Sequence, residues 1–200
     1  FKRYTISMMK RIIIGISGAS GVIYGIRMLE ILKDIPDIET HLVITSGAKL
    51  NISLETDFEI KDIKGLANVV HNNRNLAASI ASGSFQTEAM IVIPCSMRTL
   101  SGIATSYASN LIVRAADVVL KEKRKLIVVP RETPLHAGHC ELLHKVSLMG
   151  AYIVPPNPAF YNHPESIDDI INHTVGRILD LIELDPEIVQ RWQGVDVRSE

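Results

Sequence analysis

Four cations and two acids in this chain have the character and spacing to handle a phosphate ester. Arg114 and Lys121 lie seven residues apart in a segment of helical periodicity, so they share one helix face. Arg131 stands beside Glu132, between Pro130 and Pro134, where an apolar run ends; Arg177 falls on the last long helical pattern. Cations brought together in this way would neutralise a phosphate monoester, which carries a charge of about −2 at neutral pH. Glu132, among cations, could deliver a proton to a departing phosphate. Glu55, in Ser53-Leu-Glu-Thr-Asp57, closes a short helical pattern and by itself reads as a surface acid. The run Lys121-Glu-Lys-Arg-Lys125 also suits a helix C-terminus, where cations complement the dipole, and that reading is preferred for Lys123, Arg124 and Lys125.

The residues that could receive a nucleotide come first in the chain. The apolar run Ile12–Ile16 breaks into Ser17-Gly-Ala-Ser-Gly21, and an amphipathic segment follows at once. A buried strand that turns through small residues into a helix start is a ready anion cradle. The glycines at 15, 18 and 21 do not have the dinucleotide spacing, and the second strand ends in Thr45-Ser46 with no carboxylate for a ribose. Hydroxyls at 45, 46, 96 and 99 suit a phosphate or a ribityl chain, which favours a mononucleotide over NAD. His136, His139, Cys140 and His144 are competent zinc ligands, but only Cys140 and His144 share a clear face; a loop feeding a helix is the preferred reading. Cys95 has no base near it in sequence and reads as a small buried residue.

The elements that must position these groups alternate. Strand-like apolar runs occupy 12–16, 41–45, 90–93, 126–129 and 152–154, with a weaker one at 68–71. Helical patterns occupy 22–33, 47–54, 76–81, 100–106, 111–123, 140–149 and 167–184. Continuous rather than alternating apolar strands, interleaved with helices, predict an α/β fold: a three-layer, Rossmann-like, doubly wound parallel sheet. Ligands then collect at the carboxyl ends of the strands, where every connection here is rich in hydroxyls, charge or proline. Residues 1–8 read as a poorly ordered extension, 9–184 as the nucleotide-binding domain, and 185–200, with the lone Trp192, as a C-terminal arm. A net charge of −1 gives no field for nucleic acid or an anionic membrane, and no run is long enough to span a bilayer. Two well-separated cysteines and no signal-peptide core suggest the cytoplasm.

Seven motifs in order carry a resemblance: Gly15-Ile-Ser-Gly-Ala-Ser-Gly21, Leu54-Glu-Thr-Asp57, Ala81-Ser-Gly-Ser-Phe85, Pro94-Cys-Ser-Met-Arg-Thr99, Arg114-Ala-Ala-Asp-Val-Val-Leu-Lys-Glu122, Pro130-Arg-Glu-Thr-Pro134 and Pro158-Ala-Phe-Tyr161. Together they closely resemble the UbiX/Pad flavin prenyltransferase family, over about residues 9–192. The resemblance implies a flavoprotein, usually a homododecamer, that binds reduced FMN and dimethylallyl phosphate. It joins the prenyl group to flavin N5 and C6, and the prenylated FMN goes to a UbiD-type decarboxylase. By motif, FMN would be held by Gly18, Ala19, Ser20, Ser46, Ser96, Met97, Arg98, Thr99 and Arg131. Lys121, Tyr161 and Arg177 would grip the prenyl phosphate, with Arg114 and the Ser82, Gly83, Ser84 turn nearby. Glu132, Glu55 and Ser20 would be catalytic: Glu132 assisting phosphate departure, Glu55 transferring a proton near the flavin. No metal is implied. Phe85, Tyr107 and Trp192 are candidates to shield an allylic cation, with ordinary packing an equal alternative. A flavin-dependent cysteine decarboxylase would carry Pro-Ala-Ser-Ala-Asn-Thr where this chain has Pro94-Cys-Ser-Met-Arg-Thr99; a non-catalytic FMN-carrying subunit of an aromatic-acid decarboxylase is the other alternative.

Overall fold

Isoleucines dominate the first strand, β1 (Lys10–Ile16), and their alternation sets the layers of the molecule. Ile12, Ile14 and Ile16 point into one hydrophobic cluster, while Ile13 points into the other; all four are essentially inaccessible to water. A strand buried on both faces belongs at the centre of a sheet. The computed structural model, which describes residues 9–189 and 194, has it there. The extension expected over 1–8, and Trp192 in the expected arm, lie outside the described residues.

Six parallel strands form the sheet, in the order β3 (Val69–His71), β2 (Ile38–Ile44), β1, β4 (Ala89–Cys95), β5 (Lys125–Pro130), β6 (Tyr152–Ile153). This is the doubly wound order expected from the alternating patterns, with the direction of winding reversing between β1 and β4. One face is covered by α1 (Val22–Asp34), α2 (Ser46–Glu55), α3 (Ile60–Lys64) and α7 (Ile167–Asp180). The other is covered by α4 (Met97–Ala104), α5 (Leu111–Lys121) and α6 (Ala137–Leu148). No helix among the described residues is long and apolar enough to cross a membrane.

The helices over 100–106 and 140–149 start three residues earlier, at Met97 and Ala137, and three others differ in extent for a local reason. Residues 76–81 form only a 3-10 turn at Ser79–Ala81, because the Asn72 and Asn75 side chains accept from the amides of Arg74 and Ala77 and hold the chain in turns. The last helix stops at Asp180 rather than 184: Glu183 is left-handed (φ 61°) and the Leu184 amide turns back to the Leu179 carbonyl at 3.1 Å. α5 ends at Lys121 in the same way. Lys123 takes φ 55°, its amide bonds the Leu120 carbonyl (3.0 Å), and the Arg124 amide bonds that of Val119 (2.9 Å). The pair of bonds makes a Schellman turn, built with lysine at the position that usually takes glycine. Lys123→Gly should therefore raise the unfolding temperature, by about 1 kcal/mol of stability; thermal unfolding of the two proteins measures it.

Candidate active site

At the winding reversal, β1 and β4 run side by side, but their helices leave toward opposite faces, opening a crevice at the carboxyl edge of the sheet. Ser17 spans the gap beneath it. Its hydroxyl donates to the Pro94 carbonyl (2.9 Å) and accepts from the Ser96 amide (2.8 Å), and the residue is fully buried. Ser96 in turn caps α4, accepting from the Thr99 amide at 3.3 Å, while its hydroxyl donates to Thr99 Oγ1 at 3.2 Å. Motif reading had grouped Ser96 and Thr99 with the ligand but gave Ser17 no role of its own. The signal was there: a polar residue at the end of an otherwise apolar, wholly buried strand. Above this brace, Gly18 meets Gly47 backbone to backbone. A Cβ on Gly18 would stand 3.1 Å from the Gly47 Cα, and one on Gly47 would stand 3.2 Å from the Gly18 Cα.

The opening anion cradle needs correction. The amides of Gly21 and Val22, at the start of α1, both donate to Glu55 Oε2, at 2.8 and 3.3 Å. A carboxylate from the end of α2 therefore already occupies the positive end of the α1 dipole. The starts of α2 and α4 are capped by the hydroxyls of Thr45 and Ser96, neutral groups that leave the dipole uncompensated. Between them lies a cavity of about 720 Å3 lined by Gly18, Ser46, Ser96, Arg98, Thr99 and Arg74, among other residues, with no carboxylate in its wall. Hydroxyls, helix starts and two guanidinium groups make it suitable for a phosphate and a polyol chain. The Gly18–Gly47 contact fits the same use, since it lets two backbone segments approach the ligand without side chains between them.

The other FMN-motif residues lie around this edge. Ala19 is buried and Ser20 exposed in the β1–α1 turn, and Met97 opens α4. The Arg131 amide bonds the Cys95 carbonyl at 3.3 Å, and its exposed guanidinium acts on Tyr24 of α1, opposing the burial that pushes the phenol upward. Glu132 is exposed beside it, its carboxylate accepting from the Thr133 amide at 3.1 Å. Cys95 is fully buried and its thiol is pushed up to about 12 by burial, so it supplies no thiolate at neutral pH. His136 and His139 stack at 3.7 Å between ring centroids at the start of α6; no group of three or more His, Cys, Asp or Glu residues suited to a metal occurs among the described residues.

Lys121, a candidate for gripping the donor's phosphate, lies away from this edge within one chain. α5 runs back along the sheet and ends at Lys121, just before Lys125 opens β5 opposite Ala89, the first residue of β4. Lys121 pairs with Glu122, beside Gly83. The Ser82–Ser84 turn leads into β4 and lies at that amino edge too. A seven-residue strand separates the two edges by about 20 Å. Arg114 bonds the Ala81 carbonyl (3.2 Å) and Asp117 (3.1 Å) on the same face. Tyr161 and Arg177 belong to the opposite face: the Tyr161 hydroxyl meets His173 Nε2 at 3.0 Å, and Arg177 pairs with Asp180 at 2.6 Å. Of the aromatic candidates, Phe85 is packed edge-on against His41 under the Arg11 guanidinium, and Tyr107 is exposed at the cavity wall.

The chain is similar to known proteins over nearly its whole length. A Flavoprotein family model matches residues 2–179. The flavin prenyltransferase UbiX of Escherichia coli (strain K12) is 56% identical over 188 residues, covering 93% of this chain and all of that protein. The chain belongs to the UbiX flavin prenyltransferase family. Solved members superpose closely on it. A dodecameric FMN-dependent Ubix-like decarboxylase from Escherichia coli O157:H7 has a TM-score of 0.91 at 52% identity, covering 92% of this chain and 100% of that one. AnUbiX (PadA1), in complex with FMN and dimethylallyl pyrophosphate, also has a TM-score of 0.91, at 44% identity, covering 94% and 99%. The family is one of flavoproteins and transferases, and its fold is the doubly wound sheet described above.

The brace beneath the cavity gives a direct test. Ser17→Ala removes the buried partner of the Ser96 amide and one of two bonds to the Pro94 carbonyl, which keeps the backbone amide of residue 17. Unfolding should become easier by roughly 1–3 kcal/mol, and FMN should bind more weakly because the α4 start is no longer held beside β1. Denaturant titration and flavin fluorescence measure the two effects.

Proposed function

We propose that this chain transfers the dimethylallyl group of dimethylallyl phosphate to N5 and C6 of reduced FMN, and that the prenylated FMN is released to a UbiD-type decarboxylase of phenolic-acid or quinone metabolism. The observation that carries the reading is the carboxyl-edge cavity. It has helix starts capped by neutral hydroxyls, two arginines and no acid, as binding of a flavin mononucleotide requires. In this reading FMN is a substrate, held by Gly18, Ala19, Ser20, Ser46, Ser96, Met97, Arg98, Thr99 and Arg131.

During transfer the carbon–oxygen bond of the donor breaks, with the electron pair leaving on phosphate, and the allylic C1 bonds flavin N5, which gives up its proton; the remaining alkene then takes a proton at C2, and its tertiary C3 bonds flavin C6, which loses its proton. Lys121, Tyr161, Arg177 and Arg114, with the Ser82–Ser84 turn, receive the departing phosphate, whose growing negative charge they stabilise more than the ground state. Glu132 donates the proton to it. Glu55 and Ser20, beside the flavin turn, handle the proton that leaves the ring.

Because Lys121 and the Ser82–Ser84 turn lie a strand's length from the flavin cavity of the same chain, the complete site is assembled between copies. A closed homododecamer, as in the dodecameric relative, supplies that arrangement. The enzyme works in the cytoplasm, in keeping with the free thiols of Cys95 and Cys140.

Anaerobic incubation with reduced FMN and dimethylallyl phosphate should increase the mass of the flavin by one prenyl unit. An unchanged flavin mass with folded, FMN-loaded protein would leave only the carrier-subunit reading. Glu132→Gln should slow transfer by about 100-fold or more while FMN affinity stays near wild type. If the site spans copies, mixing Lys121→Ala with an FMN-site variant such as Ser96→Trp, at a donor concentration too low for Lys121→Ala to turn over, and allowing subunit exchange should restore part of the activity. No recovery in oligomers shown by mass to be mixed would place the whole site in one chain.

A further inference from the structure

The turn that presents Ser82 and Ser84 has no ladder of its own to hold it, and it borrows its support from the end of α5. The Schellman turn that closes α5 carries Arg124 out of the helix line. There its guanidinium reaches two carbonyls of that turn at once: Nη2 donates to Gly83 (2.7 Å) and Nη1 to Phe85 (2.8 Å), with Thr87 Oγ1 at 3.4 Å. Arg114, ten residues earlier and within α5, holds the Ala81 carbonyl. Carbonyls 81, 83 and 85 are thus tied to α5 by arginines, and the two hydroxyls between them meet each other at 2.9 Å. On the far side the Phe85 ring is gripped by His41 and Arg11.

This support fixes more than the turn. Lys121 lies three residues before Arg124, and its ammonium, paired with the Glu122 carboxylate, is so close to Gly83 that a Cβ there would stand 2.8 Å from Nζ and closer still to Glu122. The same helix end therefore sets both the ammonium and the hydroxyls, and Arg124 is the strut between them. We propose that Arg124 is a positioning residue for the donor's phosphate: it touches neither substrate, and it holds the Ser82–Ser84 hydroxyls against Lys121. This corrects the sequence expectation that Arg124 merely complements a helix dipole. The geometry explains why arginine is required. A planar fork spans two carbonyls in fixed directions, whereas an ammonium is a point donor that can satisfy one well. The inference rests on the proposed reading of Lys121 and Ser82–Ser84 as the phosphate site.

The test is steady-state prenyl transfer by full-length Arg124→Gln and Arg124→Lys, beside Lys121→Ala, with FMN affinity measured separately. Arg124→Gln should raise KM for dimethylallyl phosphate about tenfold, with kcat within about threefold and FMN affinity within about twofold of wild type. Arg124→Lys should recover part of that loss. A wild-type KM in Arg124→Gln, or equal losses of FMN affinity and donor KM, would overturn the inference and return Arg124 to a purely structural role. If Arg124→Gln does not fold, Arg124→Lys decides alone: a raised KM with unchanged FMN affinity supports the inference, and a wild-type KM overturns it. Lys121→Ala separates the two levels. If its KM rises while the Arg124 variants behave as wild type, only the positioning role fails; if its KM is unchanged, the proposed phosphate site itself fails.

Discussion

The site depends on a gap that the parallel sheet cannot close by itself. Where β1 and β4 send their helices to opposite faces, neither crossover covers the carboxyl edge, and polar backbone would be left in an apolar setting. Ser17 resolves this with one hydroxyl, which donates to one strand-end carbonyl and accepts from the next helix's first turn. Its bonds fix Ser96, Ser96 fixes Thr99, and the cavity wall follows from that chain of contacts. The brace is worth more than a surface hydrogen bond because both partners are desolvated and have no water to replace it.

Charge is then distributed by how each helix start is capped. α1 receives an internal carboxylate from Glu55, whereas α2 and α4 receive hydroxyls. A carboxylate cancels the dipole and repels a phosphate; a hydroxyl satisfies an amide without cancelling it. Three starts that look equivalent in sequence therefore differ, and the two with neutral caps face the acid-free cavity. Glu55 thus reaches the flavin turn through the α1 start, a contact that spans 34 residues of chain and cannot be read from its local sequence.

The donor groups follow a different logic. Helices in a doubly wound sheet return to the edge from which the strands start, so residues late in α5 and α7 lie far from residues that follow a strand. Lys121 and Arg177 are both late in their helices and cover opposite faces.

Much of this was legible in the residues. Wholly apolar strands between amphipathic segments dictated a parallel sheet with two covered faces, because a strand buried on both sides has no polar alternation to show. The glycine turn, the hydroxyl-rich strand ends and the lack of an acid after β2 pointed to a mononucleotide, because each of those signals is local. The sequence could not tell where α5 would stop, since Lys123 adopts a left-handed conformation that residue type disfavours and only the turn's hydrogen bonds reveal. Nor could it tell that Glu55 caps α1, that Arg124 holds carbonyls 83 and 85, or that Lys121 stands a strand's length from the cavity. The first two are contacts between residues 34 to 41 apart in the chain; partners at such separations are chosen by the packing of layers, which only the tertiary structure decides.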